Sequence, residues 1–99
     1  MDTNVSWYSM PVNVQIANIG SEVGRALRWK DRDPQKAENF CRKAISFWEI
    51  VKSDPKNRFR AKEFQAAIDE LEDFFLGENL YQTSEQVLRH YYDAFLDRI

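Results

Sequence analysis

Four cations, Lys56, Arg58, Arg60 and Lys62, follow directly on an Asp54-Pro55 turn. A helix start already presents partial positive charge and unpaired N–H groups, so cations placed there oppose the helix dipole. Two chemistries relieve such a site. Either the fold supplies carboxylates, or a phosphate or carboxylate binds from solution. The remaining inventory is sparse. His90 is the only histidine and Cys41 the only cysteine, which excludes any mechanism that needs two histidines and any disulfide within the chain. A di-metal carboxylate site needs inward Glu-x-x-His pairs, whereas His90, Asp69 and Asp73 fall on polar helix faces. Cys41 sits in an apolar row, the place of a small core residue and not of a reactive thiolate. With no glycine-rich phosphate loop, cysteine cluster or Ser-His-Asp set, the sequence predicts no catalytic residue, no metal and no cofactor.

Ninety-nine residues suit one domain over 1–99 with a single core. With 43% hydrophobic and 30% charged residues, only three glycines and three prolines, the composition predicts a soluble protein of long elements and few turns. A formal charge of −2 excludes bulk attraction to nucleic acid or to an anionic membrane. The charge is segregated: residues 25–62 carry +7 and residues 63–99 carry −7. A lone cysteine fits a reducing compartment. There is no basic-then-apolar leader and no apolar run near the roughly 20 residues that span a bilayer, so the expected location is cytoplasmic, with no membrane association.

The elements that must position these residues read as all-α. Residues 1–10 lack helical period and are expected to form a short arm, with Trp7 and Tyr8 covering one end of the core. Pro11 opens the first long helix, whose apolar face is Ile16, Ile19, Val23, Ala26 and Leu27. Ala17, Gly20 and Gly24 run beside that face and predict a close approach by a neighbouring helix or, less favoured, a dimer seam. Asp33-Pro34 caps the second helix, which runs to about Ser53 and buries Ala37, Phe40, Cys41, Ala44, Trp48 and Val51. The third starts near Asn57 or Arg58, buries Phe64, Ala67, Ile68, Leu71, Phe74 and Phe75, places Arg60 at the mouth of the core, and ends at a Gly77 cap. Thr83 and Gln86 form a capping box for the fourth helix. That helix is expected to bury Val87, Leu88, Tyr91, Ala94 and Phe95, leaving Tyr92, Leu96 and Ile99 as an exposed apolar strip.

Four such helices with short connections predict an up-down-up-down bundle. Its topology would bring Arg25, Arg28, Lys30 and Arg32 to Asp69, Glu70, Glu72 and Asp73 at one pole. At the other, the basic start of the third helix would meet Asp93, Asp97 and the chain carboxylate. Pairs of this kind contribute about 0–1 kcal/mol each.

Asn18-Ile19-Gly20-Ser21-Glu22-Val23, then Arg25-Ala26 and Trp29, resembles the opening signature of a small uncharacterised bacterial all-helical family. The likeness continues at Asp54-Pro55-Lys56-Asn57-Arg58 and at Phe75, Gly77, Asn79 and Tyr81, so it covers most of the chain. More distantly, the four-helix plan is similar to HEPN domains, which often act beside minimal nucleotidyltransferases as substrate-binding or toxin partners. Their ribonuclease motif, an arginine followed a few residues later by histidine, is absent, because Arg89 directly precedes His90. The resemblance therefore implies a partner role and no ribonuclease activity. Together these readings predict a non-catalytic helical interaction module, a homodimer or the partner of another bacterial protein such as a nucleotidyltransferase. Ala17, Gly20, Gly24, Tyr92, Leu96 and Ile99 are its candidate surface. The alternative is a phosphate- or nucleic-acid-binding module that uses Lys56, Arg58, Arg60 and Lys62.

Overall fold

Helical periodicity in the sequence becomes helix along almost the whole chain. The computed structural model describes residues 3–98 and contains no strand among them. Helix α1 spans Thr3–Tyr8, α2 Val12–Trp29 and α3 Pro34–Ser53. A 3-10 segment, Pro55–Arg60, leads into α4 at Ala61–Leu71, which widens into a π-turn at Glu72–Leu76, and α5 spans Glu85–Leu96. The N-terminal stretch is thus helical at Thr3–Tyr8 and not an irregular arm, although Trp7 is buried against the core as expected. Six residues are too few to show a helical period in sequence, and α1 is held by packing on α3.

The caps explain most boundaries. Asp33 accepts a hydrogen bond from Lys36 N–H at 3.2 Å, with Pro34 in the first turn. The cap of α5 is Ser84, which accepts from Val87 N–H at 3.1 Å, one residue later than the expected Thr83 box. Thr83 is buried instead and donates to Glu70 at 3.2 Å. Gly77 is extended, not left-handed, and the positive φ of the connection falls on Asn79 (54°) and Gln82 (56°). Asn79 tolerates it because its side chain bridges the loop, donating to Thr83 C=O and accepting from Thr83 N–H, each at 2.9 Å. Asp73 anchors the same loop by accepting from Leu80 N–H (2.7 Å) and Tyr81 N–H (3.0 Å).

Helix α2 packs against α3 and α5, and α3 against α4. The core forms where these faces meet, around fully buried Trp48, Phe64, Ile16, Ile19, Ile68, Leu71 and Leu88. Trp48 lies 5.1 Å from the Phe64 ring and 6.3 Å from the Tyr92 ring, and its indole N–H donates to the Tyr92 hydroxyl at 3.1 Å. Tyr92 reaches that position because Gly20 has no side chain: a Cβ at Gly20 would meet Tyr92 Cβ at 3.0 Å. At Ala17 and Gly20 the small-residue edge of α2 is therefore buried inside the fold, whereas Gly24 has no neighbour within 4 Å.

Tyr92 is only 3% exposed, so the expected strip of Tyr92, Leu96 and Ile99 does not form. Leu96 is exposed, and Ile99 lies outside the described residues. Two interleaved rows on α5 satisfy the same spacing, Val87–Tyr91–Ala94 and Leu88–Tyr92–Phe95. Gly20 and Trp48 select the second for the core. Val87 is left 56% exposed and Tyr91 half-buried.

The two glycines of α2 make opposite predictions. Nothing lies within 4 Å of a Cβ built on Gly24, so Gly24→Ala should stabilise by about 0.5–1 kcal/mol through helix propensity. Gly20→Leu should destabilise by about 1–3 kcal/mol by overpacking against Tyr92. Urea unfolding of both variants measures the two signs.

Candidate functional site

The basic start of the third long helix is built around a buried carboxylate. Asp54 is 3% exposed and ends α3. One of its oxygens accepts Lys56 N–H at 3.1 Å, and the other accepts both Gln15 Nε2 at 2.9 Å and the Lys56 ammonium. Gln15 is fully buried and also donates to Trp7 C=O at 2.9 Å. Its own carbonyl accepts from Asn57 Nδ2 at 3.0 Å, and Asn57 donates again to Val51 C=O at 3.0 Å. Lys56 reaches on to Tyr8 C=O at 3.0 Å. The Asp54 turn thereby ties α1, α2, α3 and the 3-10 segment together. Burial alone would raise the Asp54 pKa, but hydrogen bonds from Lys56 and Gln15 more than offset it and hold the carboxyl below the ordinary 3.8.

That network divides the four expected ligand-binding cations. Lys56 is committed to Asp54, and Arg60 makes two hydrogen bonds to Glu63 at 2.9 and 3.0 Å over the Phe64 ring. The hydrogen bonds from Arg60 lower the Glu63 pKa. Arg58 donates to Pro55 C=O and lies over the Phe59 ring at 4.5 Å, and Lys62 is exposed. Neither has a carboxylate partner among the described residues. Lys56 and Arg60 are thus each held by an acid, and one of the N–H groups at the start of this segment, that of Lys56, already serves Asp54.

The pairing of basic with acidic clusters expected at each pole does not form among the described residues, and the chain carboxylate lies outside them. Among the described residues, the ion pairs are Arg25–Glu22, Arg42–Glu38, Lys52–Glu49, Lys56–Asp54, Arg60–Glu63 and Arg89–Glu85, all local. Only Lys43–Glu22, at 3.6 Å, joins two helices. Partners one helical turn away satisfy these charges with less ordering of the chain. Lys30 turns to the Phe74 ring at 5.1 Å instead of to an acid.

Four surface concavities stand out among the described residues. An acidic one of about 570 Å³ is lined by Arg42, Asp69, Glu72, Asp73 and Tyr81, with Asp73 already holding the loop beside it. A basic one of about 450 Å³ between α2 and α5 is lined by Ser21, Gly24, Arg25, Arg28 and Arg89. The third is a seam between α4 and α5, about 320 Å³, lined by Glu63, Ala66, Ala67, Glu70, Val87 and Tyr91. It adjoins a concavity of about 430 Å³ lined by Gln86, Val87, His90 and Tyr91. Burial pushes the Tyr91 hydroxyl up to about 12, with the Glu63 charge adding to it, so Tyr91 stays neutral in this seam. Cys41 is inert, its thiol likewise raised to about 12 by burial.

Of the expected surface residues, Ala17, Gly20 and Tyr92 are spent inside the fold, while Gly24 opens onto the basic groove. Val87 and Tyr91, an apolar row expected in the core, instead line the seam at the surface. No family model, curated protein or solved structure matches this chain. No helix among the described residues is long and apolar enough to cross a membrane.

The depressed Asp54 pKa fixes a sign for stability. Its contribution is fully present above the ordinary value of 3.8 and is lost as the pH falls through the lower folded value. Asp54→Asn should therefore unfold at lower urea than the parent at neutral pH, with the gap narrowing as the pH falls below 3.8. An unchanged gap across that range would contradict the assignment.

Proposed function

We propose that this chain is a non-catalytic interaction module, with the seam between α4 and α5 as its docking surface. The observation that carries this reading is the second apolar row of α5. Val87 and Tyr91 satisfy helical spacing, yet the core uses Leu88, Tyr92 and Phe95, so the row faces Ala66 and Ala67 across an open groove. The occupant is a helix of a partner protein with an apolar face and basic flanks. Glu70 borders the groove beside the Glu63–Arg60 pair, and residues 63–99 carry −7, so basic flanks complement it. The bacterial partner role and the up-down-up-down order of the helices belong to the same proposal. The sparse catalytic inventory supports it from the other side, since the lone histidine is exposed and the lone thiol buried.

A second reading keeps part of the basic segment. Phe59 is 87% exposed between Arg58 and Lys62, an aromatic face with two cations that no carboxylate among the described residues holds. Such a set suits stacking of a single-stranded base with backbone contacts. Fluorescence anisotropy with labelled single-stranded RNA at low salt tests it, and binding unchanged in Phe59→Ala or absent in the parent excludes it.

The docking proposal is tested by nuclear magnetic resonance titration with a designed amphipathic peptide, leucines on one face and lysines at both ends. Shifts should cluster on Ala66, Ala67, Val87 and Tyr91, and Val87→Glu should weaken binding at least about tenfold. Shifts elsewhere, or none, would overturn it. Concentration-dependent dimerisation lost in Val87→Glu would replace the partner helix with a second copy.

A further inference from the structure

The basic groove between α2 and α5 is a separate site that the docking seam does not explain. We propose that it binds a small diphosphate-bearing anion, the chemistry of inorganic pyrophosphate or a nucleoside diphosphate. Arg25 and Arg28 come from α2 and Arg89 from α5, so guanidinium groups line both walls of a groove of about 450 Å³. Planar guanidinium forks suit phosphoryl oxygens, and donors on two walls suit an anion longer than a single phosphate.

Three features show that the groove is built. Its floor is Gly24, a mid-helix glycine that no packing contact requires, since nothing lies within 4 Å of its Cβ position. A larger residue there would fill the space between the walls. Arg25 is oriented from beneath by the buried Glu22 carboxylate at 2.8 Å, whose charge is shared with Lys43 at 3.6 Å. The other Glu22 oxygen, Oε2, is buried with no hydrogen-bond partner. Drawing Arg25 toward an anion leaves Lys43 beside Glu22. Arg89 is held by Glu85 through Nε and Nη2 at 3.1 and 2.9 Å. Arg28 is exposed and has no carboxylate partner among the described residues. With Glu22 and Glu85 each already matched by an arginine, Arg28 leaves the groove with a net positive charge that an anion would neutralise.

The test is a backbone amide titration by nuclear magnetic resonance with inorganic pyrophosphate, and separately with adenosine diphosphate. Saturable shifts should centre on Ser21–Arg28 and Arg89 with both probes. Arg28→Gln and Arg89→Gln should each weaken binding at least about tenfold, a change expected for loss of a charge-assisted pair. Gly24→Leu should abolish binding while leaving the helical circular dichroism intact. Lys36→Gln, an exposed cation outside the groove, should change nothing. Equal shifts at Arg58, Lys62 and the groove, or affinity unchanged in Arg28→Gln and Gly24→Leu, would overturn the proposal.

Discussion

A buried carboxylate cannot be left alone, because an unpaired charge out of water costs several kcal/mol and must be matched by donors. Asp54 meets that requirement with the backbone and ammonium of Lys56 and the amide of Gln15, while Asn57 closes the ring through the Gln15 carbonyl. Gln15 comes from α2, Lys56 and Asn57 from the 3-10 segment that follows α3, and Lys56 reaches on to α1 at Tyr8 C=O. The turn, the entry into α4, the register of α2 and the seat of α1 therefore share one set of hydrogen bonds. A fully satisfied polar network of this kind fixes geometry that apolar packing alone would leave loose.

The apolar half of the fold depends on a comparable contact. Gly20 admits Tyr92, Tyr92 receives the Trp48 indole N–H, and Trp48 in turn packs on Phe64. This chain of contacts runs from α2 through α5 and α3 to α4 and sets the rotation of α5. That rotation decides which of two equivalent rows enters the core and which remains on the surface. The seam between α4 and α5 is thus a consequence of one glycine placed against one tyrosine.

Sequence periodicity was sufficient for the long helices, because Ile16–Ile19–Val23 and Cys41–Ala44–Trp48 each admit a single buried face. It was insufficient on α5, where Val87–Tyr91 and Leu88–Tyr92 have identical spacing and only the packing partner distinguishes them. The charges at Lys56–Lys62 were visible as an anomaly, and the choice between ligand and internal carboxylate was legible as a question. Its answer rests on Gln15, a polar residue within an apolar helix start, whose partners lie 39 and 42 positions away in the chain. The cross-bundle ion pairs failed for a related reason. Net charge by segment does not register that an acid one turn away satisfies a cation first.

The central claim is that Gln15, Asp54 and Asn57 act as one unit. A double-mutant cycle in urea, with Gln15→Ala, Asn57→Ala and the pair, measures it directly. Coupling of about 1–3 kcal/mol between these two buried positions is predicted, whereas additivity within about 0.5 kcal/mol would contradict the account.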